Sequence, residues 1–135
     1  MKLGAIVMDC GNAEALADFY AEFLGWDKSV QETAEDRWVI VNDPAWKNTP
    51  LVFQEVSGYQ SPVWPAETGR QQQMTHLDFA VNQLEEAVQH AVSCGATVAE
   101  QQFSEHWRVM IDPAGHPFCL CRMASLFQSE HFGLL

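Results

Sequence analysis

The sequence lacks a long apolar run: no stretch approaches the ~20 residues that a membrane helix needs, and no membrane partner is expected. It is also poor in cations, with seven Lys and Arg against eighteen Asp and Glu and a formal charge of −11 over 135 residues. Such a surface repels phosphate backbones and anionic lipid, so no nucleic acid is expected, whereas a neutral or cationic small molecule is permitted. Cys10, Cys94, Cys119 and Cys121 show no CxxC spacing. The Met1–Cys10 opening is too short, and at Asp9 too acidic, for a signal peptide. A reducing, cytoplasmic setting with free thiols is the expectation. A nucleophile elbow for a Ser-His-Asp triad, a Gly-rich phosphate loop and an HExxH helix are all missing, which removes hydrolases, kinases and zincins.

The chain does hold ample core material. Hydrophobic residues make up 47%, with five Trp and eight Phe, and a single domain of this length buries about two thirds of its unfolded surface. Its organising feature is a repeated hairpin. Trp107 to Met123 (WRVMIDPAGHPFCLCRM) echoes Trp38 to Val56 (WVIVNDPAWKNTPLVFQEV). In each copy a Trp opens an apolar run that ends in Asp-Pro-Ala (Asp43 to Ala45; Asp112 to Ala114), and a Pro (Pro50; Pro117) launches the next run.

Before each hairpin the same order recurs. Leu3 to Asp9 predicts a strand, and Asn12 is placed to cap a helix whose stripe is Leu16, Phe19, Tyr20, Phe23 and Leu24. Gly25 ends it, and Trp26 to Thr33 predicts an exposed strand. In the second copy, Met74 to Val81 is a strand with Leu77, Phe79 and Val81 on one face and His76, Asp78 and Ala80 on the other. Asn82 and Glu85 match a capping box before the stripe Leu84, Ala87, Val88, Ala91 and Val92. Gly95 ends that helix, and Thr97 to Gln102 predicts a strand. The expected boundaries are a module at residues 3–56, a linker at 57–73, a second module at 74–123 and an apolar tail at 124–135. Within the linker, Tyr59 and Trp64 either pack on the body or line a ligand cleft, with packing favoured.

Each module therefore reads βαβββ, one helix covering one sheet face, which leaves a cleft between the two modules as the place for a ligand. The stretches ADFYAEFLGW (Ala17 to Trp26), HLDFAV (His76 to Val81) and DPAGHPFCLC (Asp112 to Cys121) resemble the vicinal oxygen chelate superfamily, closest to its glyoxalase-like and bleomycin-resistance-like branches. The resemblance runs from Leu3 to about Met123. It implies an α+β fold of the glyoxalase/bleomycin-resistance type, with two βαβββ modules and a cleft between curved sheets. It also implies a homodimer, which the apolar tail suits.

In the metal enzymes of that superfamily, His, Gln or Glu ligands come from the first and last strands of each module. His76 matches one such position; its counterpart in the first module is near Ala5, which binds no metal. Cys119 stands where a Glu is expected, with Cys121 one pleat on, and the first-module counterpart is Val52 or Gln54, with Glu55 on the opposite face. The reading is a small-molecule binding protein without the usual metal or any cofactor. A cationic or aromatic ligand would be held by His76, Asp78, Trp38, Trp107, Gln54, Cys119 and Cys121. The alternative is a metal-dependent lyase, isomerase or dioxygenase that uses a divalent ion on His76 with Gln54, Glu55 or Cys121.

Several residues carry two readings. Cys119 and Cys121 are inert small hydrophobes in the simpler case and nucleophiles or soft ligands in the other. Trp38 and Trp107 are cleft walls or core. Arg37 and Arg108 either fix a carboxylate ligand or, more simply, form structural ion pairs. His116, after Gly115, is expected to be exposed.

Overall fold

A computed structural model describes residues 1–123; the expectation of a docking or dimer-forming tail at 124–135 lies outside the described residues. The chain divides into two units, one ending at Ser61 and the other beginning at Pro62. The break falls inside the stretch expected to be a linker.

The first unit holds β1 (Ile6–Cys10), α1 (Ala13–Leu24), β2 (Asp27–Glu32), β3 (Arg37–Asn42) and β4 (Leu51–Glu55), in a four-stranded sheet of order β1-β4-β3-β2. β1 runs parallel to β4, and the other neighbours are antiparallel. The first strand starts at Ile6 rather than Leu3, which is 65% exposed. Asn12 caps α1 by accepting a hydrogen bond from the Ala15 N–H at 2.9 Å, and Gly25 closes it with φ of 68°. Leu16, Phe19 and Tyr20 are buried on one helix stripe, and Tyr20 stacks on Phe53 of β4 at 5.2 Å. Val39, Val41, Leu51 and Phe53 complete this core, so alternate strand residues face the helix.

The second unit repeats the plan with β5 (Asp78–Val81), α2 (Leu84–Cys94), β6 (Thr97–Val98), β7 (Trp107–Ile111) and β8 (Pro117–Arg122), in order β5-β8-β7-β6. Phe79, Phe118, Met110 and Leu120 turn towards the helix side, Phe79 meeting Phe118 edge-on at 5.8 Å. Three expectations need correction. The cap of α2 is Gln83, which makes no side-chain cap bond, and not Asn82. The Glu85 carboxylate accepts from Arg108 at 2.6 Å instead of closing a capping box. Val92, placed on the buried stripe, is 46% exposed. The β6 ladder stops at Val98, since the Gln102 side chain takes over the pairing: its amide binds the Ala99 and Val109 carbonyls and accepts the Val109 N–H.

The duplication extends to polar detail. Glu14 pairs with Arg37 and Glu85 with Arg108, each helix tied through its second residue to an Arg 23 positions later in its own hairpin. In both Asp-Pro-Ala turns the Asp carboxylate accepts the N–H of the Ala two residues on, at 2.9 Å. Among the described residues no helix is long and apolar enough to cross a membrane.

Candidate functional site

Sheet parity builds the site. In β8 the residues Phe118 and Leu120 face α2, so Cys119 and Cys121 stand on the opposite face. Directly across the ladder, Cys119 meets Asp78 of β5 and Val109 of β7, and Cys121 meets Ala80 and Trp107. His76 sits just before β5 rather than inside it. The Cys119 N–H to Leu77 carbonyl bond, 2.9 Å, extends the pairing, so His76 and Asp78 project to one side. The His76 Nε2 lies 3.1 Å from Asp78 Oδ1.

The sheet does not stand bare. The segment from Pro62 returns across it, fixed by the Val63 N–H on the Gln71 carbonyl and by the Gln73 amide on the Pro117 carbonyl. Trp64 thereby packs against the buried cluster of Ala99, Val109, Cys119 and Cys121. Between this strap and the sheet lies a pocket of about 630 Å³, formed wholly by the second unit. Trp64, Pro65, Phe103 and Trp107 give it flat apolar walls. Cys119, Cys121 and Val109 form the floor, and His76 and Asp78 are its polar corner.

Of the seven expected ligand-pocket residues, His76, Asp78, Trp107, Cys119 and Cys121 meet there. Trp38 and Gln54 face each other across β3 and β4 of the first unit, on the sheet side away from α1, and Glu55 lies at the end of β4. Pro65, Ala66 and Phe103 also line the pocket, and no pattern in the sequence marks them. Trp64, for which packing is the favoured of two readings, both packs on the buried cluster and lines the pocket. Val109 was foreseeable, because it lies two residues from Trp107 on the same strand.

Burial sets the chemistry of the floor. The Cys119 thiol is pushed up to about 12, chiefly by burial and then by the negative charge of Asp78, and the Cys121 thiol to about 11 for the same two reasons. Both sulfurs are thus protonated at neutral pH and poor nucleophiles on their own. His116, expected to be exposed, is only 8% exposed: its Nδ1 donates to Asp112 Oδ2 at 2.8 Å, while Asp112 Oδ1 accepts the His116 N–H. The Asp112 carboxylate draws the ring into the turn instead of leaving it in water. Arg37 and Arg108 are held by Glu14 and Glu85, the structural alternative of their two readings.

A metal is a possibility that the donor chemistry can test. The ligand atoms of His76, Asp78 and Cys119 all lie within 4.8 Å of one another. Nitrogen, oxygen and sulfur donors with an open fourth position fit a zinc-like ion, whereas magnesium and calcium take oxygen ligands. This grouping differs from the expected companions of His76, which are Gln54, Glu55 or Cys121.

No curated protein matches the chain. Among solved structures, the trypanothione-dependent glyoxalase I of Leishmania major superposes with a TM-score of 0.69 at 17% identity, covering 99% of this chain and 95% of that one. A glyoxalase family protein from Enterococcus faecalis gives 0.67 at 19% identity, with 90% and 97% covered. A glyoxalase/bleomycin resistance protein/dioxygenase family enzyme from Burkholderia phytofirmans PsJN gives 0.63 at 14%, with 90% and 98% covered. These likenesses establish the fold. The profile of the Glyoxalase-like domain matches residues 5–121, and the chain belongs to that glyoxalase-like family of the vicinal oxygen chelate superfamily.

Proposed function

We propose that the second unit is a small-molecule binding module for a flat, neutral or cationic organic molecule that carries a hydrogen-bond donor. The observation behind this reading is the pocket itself. Its volume, about 630 Å³, falls inside the roughly 300–1,000 Å³ common for ligand sites, and its combination of aromatic walls with one polar corner is the usual composition of such sites. Trp64 and Trp107 offer faces for stacking, and the Asp78 carboxylate offers an acceptor. The surplus of acid over base favours a cationic or neutral ligand over an anion. Titration of 2-naphthol into the full chain by calorimetry, with chelator present, tests the reading. One site per chain is expected, and Trp107→Ala should weaken it about ten-fold, the equivalent of roughly 1.4 kcal/mol of lost aromatic contact. No saturable binding, or equal binding by the variant, overturns it.

A second reading is supported by the donor cluster of His76, Asp78 and Cys119. There the site is a metal-dependent lyase, isomerase or dioxygenase, and the ion would polarise an oxygenated substrate seated against the aromatic walls. His76 and Asp78 are close enough to hold or pass a proton between substrate and solvent.

A further inference from the structure

The two units make an internal comparison possible. Trp38 stands opposite Gln54, and Trp107 stands opposite Cys121. Two residues earlier on the final strands, Val52 therefore corresponds to Cys119. The parallel-strand partner of Val52 is Val7, whereas that of Cys119 is Asp78. The same rung is two valines in one unit and a carboxylate beside a thiol in the other. His76, two residues before Asp78, likewise corresponds to Ala5. All three positions are apolar in the first unit and all three carry metal-binding atoms in the second.

The ladder also pre-organises them. Asp78 and Cys119 are directly paired, so their side chains stand side by side on one face whatever their rotamers. His76 and Asp78 are roughly half-exposed while Cys119 is 7% exposed, so an ion arriving from solvent meets imidazole and carboxylate first and the sulfur behind them. Cys121 supplies a further sulfur one pleat along the same pocket floor.

We propose that the second unit alone supplies all three ligands, His76, Asp78 and Cys119, of a thiolate-bound site for a borderline-soft divalent ion of the zinc and cadmium class. The inference rests on the second reading above and deepens it. The resemblance implies nitrogen and oxygen ligands from both modules; a sulfur in place of the carboxylate shifts preference away from magnesium, manganese and calcium towards thiophilic ions. As the sulfur–metal bond forms, the Cys119 S–H bond breaks and its proton passes to solvent. The fourth position stays open to water or to a pocket ligand.

Cobalt(II) added to the full chain after chelator treatment reports the site directly, because a thiolate ligand gives a sulfur-to-cobalt charge-transfer band in the near ultraviolet. One cobalt per chain with that band is expected, displaced by cadmium and not by excess magnesium. Cys119→Ser should lose the band, His76→Gln should lose most of the binding, and Cys94→Ser should change neither. Because His76 is exposed, its variant tests the site even if Cys119→Ser fails to fold. The inference is overturned by a wild type that binds no stoichiometric cobalt, by bound cobalt without the band, or by a band that survives Cys119→Ser or His76→Gln. The two proposals can fail separately: 2-naphthol bound in chelator without a cobalt site leaves the binding reading standing, and a cobalt site without 2-naphthol binding leaves the metal standing.

Discussion

The Asp112–His116 pair gives the sharpest energetic prediction, because a ring that its place in the turn would leave in solvent is buried instead. The Asp112 side chain is fully buried and that of His116 is 10% exposed. Oδ1 accepts the N–H groups of Ala114 and His116, and Oδ2 accepts from His116 Nδ1. Asp112→Ala removes three bonds accepted by the carboxylate at about 1 kcal/mol each and strands buried donors, for a loss of roughly 3–5 kcal/mol. His116→Ala removes one charge-assisted bond and a ring, about 2 kcal/mol. The two residues share a bond, so the double variant should cost less than the sum, with a coupling of about 1–2 kcal/mol. Urea unfolding of the four proteins, followed by tryptophan emission and compared at equal slope, measures this. Single losses under about 0.5 kcal/mol, or additivity within about 0.4 kcal/mol, would refute a buried, mutually dependent pair.

Further tests address other parts of the chain. Iodoacetamide at mildly alkaline pH should label Cys94, which is only partly buried, well before Cys119 and Cys121, whose thiols burial pushes up to about 12 and about 11; peptide mass spectrometry showing equal rates would contradict this. The Asp43 carboxyl is held below its usual range by the Asn48 side-chain amide and then by the Ala45 N–H. Its contribution is complete above the ordinary Asp range and disappears as pH falls through the lowered value, so Asp43→Asn should flatten that part of the acid melting profile. At the helix starts the two caps differ. Asn12→Ala should cost about 1 kcal/mol, while Gln83→Ser should add up to about 1 kcal/mol, since Gln83 makes no cap bond. Equal melting temperatures for each variant and the parent would count against both.

The repeat was legible because its signals are local. The Trp-to-Asp-Pro-Ala hairpins, the Asn12 cap and the terminal glycines each announce themselves within a few residues, and strand parity alone put His76 and Asp78 on the face away from the helix. What was not legible depended on partners distant in sequence. The strap from Pro62 has no period to betray that Trp64 would roof the sheet, and Phe103 lies just past the strand expected at Thr97 to Gln102, which ends at Val98 because the Gln102 side chain takes over the pairing. The His116 ring was misplaced because a turn after Gly usually faces water; the carboxylate four residues earlier reverses that preference.

The rung formed by Asp78 and Cys119 shows why the site needed coordinates while the fold did not. Parity says only that two side chains share a face, whereas a ligand cluster depends on which residue of one parallel strand stands beside which residue of the other. A shift of two residues would set Cys119 beside Ala80 instead of a carboxylate, with each side chain still on its own face of the sheet. The first unit supplies the control. With the same register logic and the same helix, its rung is Val7 beside Val52, so the fold tolerates a dry apolar pair at this position. Asp78 and Cys119 are therefore not required by the architecture. A buried thiol next to a carboxylate, with an imidazole 3.1 Å from that carboxylate, replaces favourable apolar contact with polar groups that must be desolvated. Architecture alone does not explain that substitution.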